Sequence, residues 1–127
     1  MDRPPLLTEL PPNVQFQLAV FGPFLFGMVG GFLLGQSEAG YWIVQAIGAA
    51  LGLAGGYEHV GAAAGARRGL VAGTLFGAGI VAADAISGDA PLAKVPDPIG
   101  VLVIITAVGG AVLGAIGGRA RGRTAAR

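Results

Sequence analysis

Four polar side chains lie within or at the ends of otherwise apolar stretches, and they are where chemistry away from water would have to occur: Gln45, Glu58, His59 and Asp84. An ionisable group in such a stretch is a functional candidate, because burial raises a carboxyl pKa and lets it bind and release a proton or a cation. Glu58 and His59 are adjacent and could relay a proton; Gln45 can only hydrogen-bond. At about 100° per residue on a helix, Gln45, Gly48, Gly52, Gly56 and His59 share one stripe, and Gly73, Gly77, Asp84 and Ser87 share another. This spacing predicts Gln45 and Asp84 at comparable depth, approaching each other directly or through water. The plainer reading, and the preferred one, makes Asp84 a headgroup contact or a partner of Gln45, and makes Glu58 and His59 an interfacial pair beside Arg67 and Arg68.

Beyond these four, the chemical inventory is thin. The chain has no cysteine, which removes disulfides, iron–sulfur ligation and thiolate zinc, and its 1 histidine excludes a multi-histidine metal site within one copy. No GxxxxGK[ST] phosphate loop, GxSxG elbow or HExxH pair occurs, and no nucleophile, base and orienting group can be assembled. No catalytic residue, metal or cofactor is expected, and the chain is not read as an enzyme.

The elements that must position the four polar groups are set by glycine. It recurs every fourth residue at Gly27, Gly31, Gly35, at Gly48, Gly52, Gly56, at Gly61, Gly65, Gly69, Gly73, Gly77, and at Gly110, Gly114, Gly118, Gly122. A four-residue step stays on one helix face, so each series makes a groove that another backbone can enter. In water every such glycine costs a helix roughly 1 kcal/mol relative to alanine. In a bilayer, backbone groups must pair within the helix, and small residues permit the close contact that drives helix association. Composition agrees: 54% of the chain is hydrophobic, with 8 basic and 7 acidic residues.

Asp, Glu, Lys and Arg are absent between Glu9 and Glu38, Glu38 and Glu58, Arg68 and Asp84, and Asp97 and Arg119. These windows predict transmembrane helices at about 14–35, 40–57, 61 or 69 to 87, and 98–118, each near the ~20 residues a bilayer requires. The expectation is an all-α polytopic membrane protein, a compact bundle of two antiparallel hairpins packed through glycine-zipper faces. A short N-terminal segment covers 1–12, the transmembrane domain 13–118, and a basic tail 119–127. The first apolar stretch is longer than a signal core and is read as a span, not a cleaved leader. Asn13 and Asp97 are the expected N-caps, and Pro23 is expected to bend the first helix. The segment 59–68 fits either a linker or an early start of the third helix.

With four spans, Arg3, Arg67, Arg68, Arg119, Arg121, Arg123 and Arg127 share one side, opposite Lys94, Glu38, Asp84, Asp89 and Asp97. The positive-inside rule then puts both termini in the cytoplasm of a cell membrane, with Arg67, Arg68, Arg119, Arg121 and Arg123 at anionic headgroups and nucleic acid an unlikely ligand. Tyr41, Trp42 and Tyr57 fit the aromatic belts at the ends of the second span. A faint internal repeat relates Leu25, Phe26, Gly27 to Leu75, Phe76, Gly77, and 46–56 to 107–118. The abundance of alanine, glycine and arginine suggests a prokaryotic source.

Two roles follow from these features. The first is a structural or interaction protein that uses its glycine faces for self-association, as a homo-oligomer, or for docking on a larger membrane complex. The alternative is a small pore or secondary transporter for protons, ions or a small solute, lined by Gln45, Glu58, His59 and Asp84. The scarcity of polar groups at mid-helix favours the first.

Overall fold

The computed structural model describes residues 9–127, so Arg3 and most of the expected 1–12 segment lie outside the described residues. Four helices are long and apolar enough to cross a membrane: α1 (Pro12–Leu34), α2 (Glu38–Tyr57), α3 (Ala62–Ser87) and α4 (Val101–Ala125). The described residues contain no strand. The charge-free windows place three of these helices within about two residues, given the early start of α3, whereas α4 begins three residues later than expected and runs seven further.

At the start of α1, Pro12 itself occupies the first turn, where its missing N–H costs nothing, and Asn13 lies inside the helix instead of capping it. The strain expected at Pro23 is taken up just before it by a π turn over Gln17–Phe21, where the Gly22 N–H reaches back to the Gln17 carbonyl. A proline ring crowds the carbonyl four residues earlier, and the widened turn makes room. Ser37 caps α2, its hydroxyl oxygen accepting from the Gly40 N–H at 3.0 Å. Helix α3 closes on Gly88, whose φ of 67° is left-handed and whose N–H bonds the Asp84 carbonyl.

Asp97 does not cap α4. The carbonyls of Pro98, Ile99 and Gly100 accept from the N–H groups of Val101, Leu102 and Val103, so a tight turn precedes a helix that starts at Val101. At its other end α4 continues through Arg119, Arg121 and Arg123 to Ala125, so most of the basic tail is helix. The choice at 59–68 falls to an early start: α3 begins at Ala62 after a short turn.

Helices α1 and α4 both pack on α3, α2 closes the square against α1 and α4, and α1 and α4 occupy opposite corners. Backbone proximity sets the tightest contacts. A Cβ at Gly65, Gly69 or Gly73 would fall on the backbone of Gly114, Gly110 or Thr106, and one at Gly77 on the Thr106 hydroxyl and Val103. Residue numbers therefore rise along α3 as they fall along α4. Helix α1 meets α3 through Gly27 against Phe76 and Gly31 against Ile80, with Gly79 answering against Phe24.

Bulk is placed on the outside. Phe16, Leu25, Ile43, Leu51, Val71, Ile104 and Val112 are all exposed, while glycines fill the helix crossings. A water-soluble bundle does the reverse, and this inversion suits apolar surroundings, where association relies on close packing and not on burial of large side chains. The exception lies at one end. Leu34, Tyr41, Ile80 and Leu102 form a buried cluster with Ala93 of the segment 88–100, which is held down where the Leu92 N–H donates to the Leu34 carbonyl at 2.8 Å.

Candidate functional site

Within this square, α2 and α3 face each other across a diagonal, and side chains instead of backbones set their separation. Where Gly48 and Gly52 turn inward, a Cβ would meet the Phe76 ring and the Leu113 side chain at 3.4 Å, ordinary contact distances. The sequence stripe on α2 was expected to be a close-packing seam along its whole length. Only its far end is one: Gly56 touches the Gly114 backbone, and Gly117 of α4 lies against Leu53 and Tyr57. The rings of Phe26 on α1 and Phe76 on α3, from the two matching Leu-Phe-Gly segments, lie 5.8 Å apart, and both face Gly48 of α2.

The space left is a cavity of about 660 Å³ lined by all four helices. Its wall is mainly Gly48, Ala49, Gly52, Ala72, Gly73, Phe76, Thr106, Gly109, Gly110 and Leu113. Three longer polar side chains join this wall: Gln45, Glu58 and Arg68. The cavity is partly open, with the exposed side chains Leu18, Leu51 and Ile105 at its rim. Cavities of this size and mostly apolar lining, with few polar groups, are typical of small-molecule sites.

Of the four candidates, Gln45 and Glu58 line this cavity, whereas His59 and Asp84 do not. Gln45 directs its amide at the Tyr41 side chain one turn earlier, and Nε2 is buried there. The predicted direct bond between Gln45 and Asp84 is therefore not made. Asp84 acts through its backbone, its carbonyl accepting from the Gly88 N–H and the Ser87 hydroxyl, while its Oδ1 is buried without a donor. Asp89 takes up the polar contact at that end, accepting from Gln36 Nε2 at 3.1 Å. His59 Nε2 is likewise buried without a partner.

The arginines separate. Arg67, Arg119 and Arg123 are exposed, and Arg121 lies over the Tyr57 ring at 5.3 Å. Arg68 instead turns between the helices: Nε and Nη1 are both buried without an acceptor. No ion pair within 4.0 Å forms among the described residues, so Glu58, although its charge acts on Arg68, does not neutralise it by contact.

Arg68 was grouped with the headgroup arginines at first sight, and its helix position carries the signal that separates it. Arg68, Ala72 and Phe76 follow a four-residue step beside the Gly65, Gly69, Gly73 series, so a side chain on that step enters the space next to the α3–α4 contact. Gly30, Gly79 and Gly117 were also missed. Each lies one or two residues from a ladder glycine, and each presents a second face of its helix to a different neighbour. Comparison with protein-family models, with curated proteins and with solved structures found no match.

Proposed function

We propose that this chain is a small integral membrane protein whose glycine-zipper bundle, two antiparallel hairpins, carries a partly open intramembrane site that binds a small molecule and passes it on. This is the pore or secondary-transporter reading. The observation that carries it is the cavity of about 660 Å³ among all four helices, with Gln45, Glu58 and Arg68 on its wall. In this reading the arginine-rich end, with both termini, faces the cytoplasm of the cell membrane, and the segment 88–100 caps the other face.

Two features support it over self-association or docking on a larger membrane complex. The glycine faces that suggested docking are occupied within the chain, with Gly65, Gly69 and Gly73 against α4 and Gly27 and Gly31 against α3. In addition, Gln45, Glu58 and Arg68 put polar and charged groups on a wall that is otherwise mostly apolar. A mostly apolar cavity with a few polar groups is the usual make-up of a small-molecule site.

The test is native mass spectrometry of the protein in lipid nanodiscs, paired with flux measurements in liposomes. The expected result is a monomer that retains a small molecule, with flux of that molecule reduced when Gly55→Leu fills the cavity. Gly55 lines the cavity and a Cβ there has nothing within 4 Å, so the substitution adds bulk without a clash. A stable homo-oligomer or a co-purifying membrane protein, with no bound small molecule and no flux, would restore the docking reading.

A further inference from the structure

We infer that the outer groove between α1 and α3 holds one anionic phospholipid, with an acyl chain along the groove and the phosphate at Arg67. The inference rests on the membrane setting proposed above and not on the cavity, with which the groove shares no lining residue.

The groove follows from where the α1–α3 contact stops. Gly27, Gly31 and Gly79 bring the two backbones together, whereas at Gly22, nearer the start of α1, a Cβ would have nothing within 4 Å. Gly27 meets Phe76 and Gly31 meets Ile80, so the two helices run in the same direction and the glycine seam ends toward the arginine-rich end. There Val20, within the π turn of α1, and Leu70, Val71, Thr74 and Leu75 of α3 line a groove of about 440 Å³. No charged side chain lines it, and its one hydroxyl proton is donated by Thr74 to the Leu70 carbonyl at 2.7 Å. The groove is therefore apolar and makes no demand for a polar ligand within it.

The occupant is argued from setting and charge. Leu70 and Val71 are 47% and 49% exposed, so the groove opens outward, onto the face that acyl chains cover in a bilayer. Arg67 lies one turn before Leu70 and Val71 and two turns before Thr74 and Leu75, on the same helix face, and its side chain leans toward the start of α3. It is exposed, and no carboxylate among the described residues lies within 4.0 Å of it. The charge-free stretch that ends at Asp84 begins just after Arg68, which puts Arg67 at the edge of the apolar span, where headgroups lie. From Arg67 to Leu75 the helix rises about 12 Å, most of the ~15 Å hydrocarbon depth of one leaflet. A guanidinium pairs well with a phosphate, and an acyl chain hanging from that phosphate would run down the groove. Arg119 and Arg123 are exposed at the same end, but they belong to α4, across the square from α1, and have no part in this groove.

The protein would be placed in nanodiscs of equimolar phosphatidylcholine and phosphatidylglycerol, and the lipid retained on release would be counted by native mass spectrometry. The expected result is one phosphatidylglycerol per chain, at least fivefold over phosphatidylcholine. Arg67→Gln should lower that retention at least fivefold and Arg123→Gln, an exposed residue of equal charge, less than twofold. Leu70→Trp, which fills the groove from its outer side, should also displace the lipid. A phosphatidylglycerol carrying a photoreactive acyl chain should crosslink to the parent protein at Val20 and within 70–75, a readout that needs no variant to fold.

Equal losses in Arg67→Gln and Arg123→Gln would mean diffuse attraction to a basic face and would overturn the site. Equal retention of phosphatidylcholine would overturn the role of charge, and crosslinks confined to other faces would overturn the groove. A homodimer crosslinked through Leu70 and Val71 would make a second copy the occupant instead of lipid. A protein that inserts into nanodiscs and retains no phosphatidylglycerol defeats this inference alone, whereas one that fails to insert defeats the membrane reading itself.

Discussion

A single methyl group separates two kinds of glycine in this chain. At Gly69 a Cβ would fall on the Gly110 carbonyl, so Gly69→Ala must push α3 and α4 apart. Overpacking of this kind typically costs about 1–3 kcal/mol, and a lowered unfolding midpoint in detergent or bicelles is expected. At Gly55 nothing lies within 4 Å, and Gly55→Ala should be neutral or stabilising by up to about 1 kcal/mol through helix propensity. A destabilised Gly55→Ala, or a Gly69→Ala that unfolds like the parent, would contradict this packing. Gly69 belongs to a four-residue series and Gly55 stands outside one, but which glycine meets a backbone and which meets open space depends on the neighbouring helix. Asp84 poses a related question, with its Oδ1 buried and no donor near it. Replacing it by Asn removes a carboxylate oxygen that has no partner, so Asp84→Asn should hold or raise stability by about 1 kcal/mol. A loss above that amount would reveal a partner for the carboxylate in the membrane.

Turns decide where the helices begin. Gly61, just before α3, has a φ of 102°, a conformation that L side chains rarely adopt, and its N–H donates to the Gly118 carbonyl at 2.9 Å. Gly61→Ala should therefore cost about 1–2 kcal/mol, whereas Gly122→Ala, where a Cβ would sit at 3.6 Å from Gly61, should change little. Because α3 starts at Ala62, Arg67 lies within a helical turn and should resist trypsin in inside-out vesicles. Rapid cleavage there would mean a linker. The glycine ladder running from Gly61 to Gly77 already suggested that this helix begins before its apolar stretch, because a contact face has no reason to continue into a coil. The start of α4 was harder to read: Asp97 and Pro98 resemble a capped helix start, and the backbone bonds of 98–103 show a turn first.

On the scale of the whole molecule, the two ends are built by different means. The end beneath 88–100 is a conventional side-chain core, and Leu34 at its centre is fully buried. Leu34→Ala should cost about 2–5 kcal/mol, measured by chemical unfolding in bicelles, in contrast to an exposed apolar residue such as Ile104, whose truncation should stay within about 0.5 kcal/mol. The proposed topology is equally open to test, because the chain has no native cysteine. With four spans, Lys94→Cys should react with an impermeant maleimide from outside intact cells, and Ala126→Cys only after permeabilisation. Labelling of both from one side would rule out the proposed orientation.

Sequence by itself determined the helices, because charge-free stretches and a four-residue glycine step are local properties of the chain. It also placed Gln45, Gly48 and Gly52 on one stripe of α2, and all three line the cavity, whereas His59 of the same stripe does not. Tertiary structure alone decided that the cavity exists. The close approach of α3 to α1 and α4 is fixed by glycine, but the stand-off of α2 depends on Phe26 and Phe76 meeting from different helices, and no single helix encodes that encounter. The same holds for Arg68: its charge is visible in the chain, but its lack of a partner is visible only once Glu58 and the opposing wall are in place. Local spacing sets which face a residue occupies. What it meets there is set by the helix across from it.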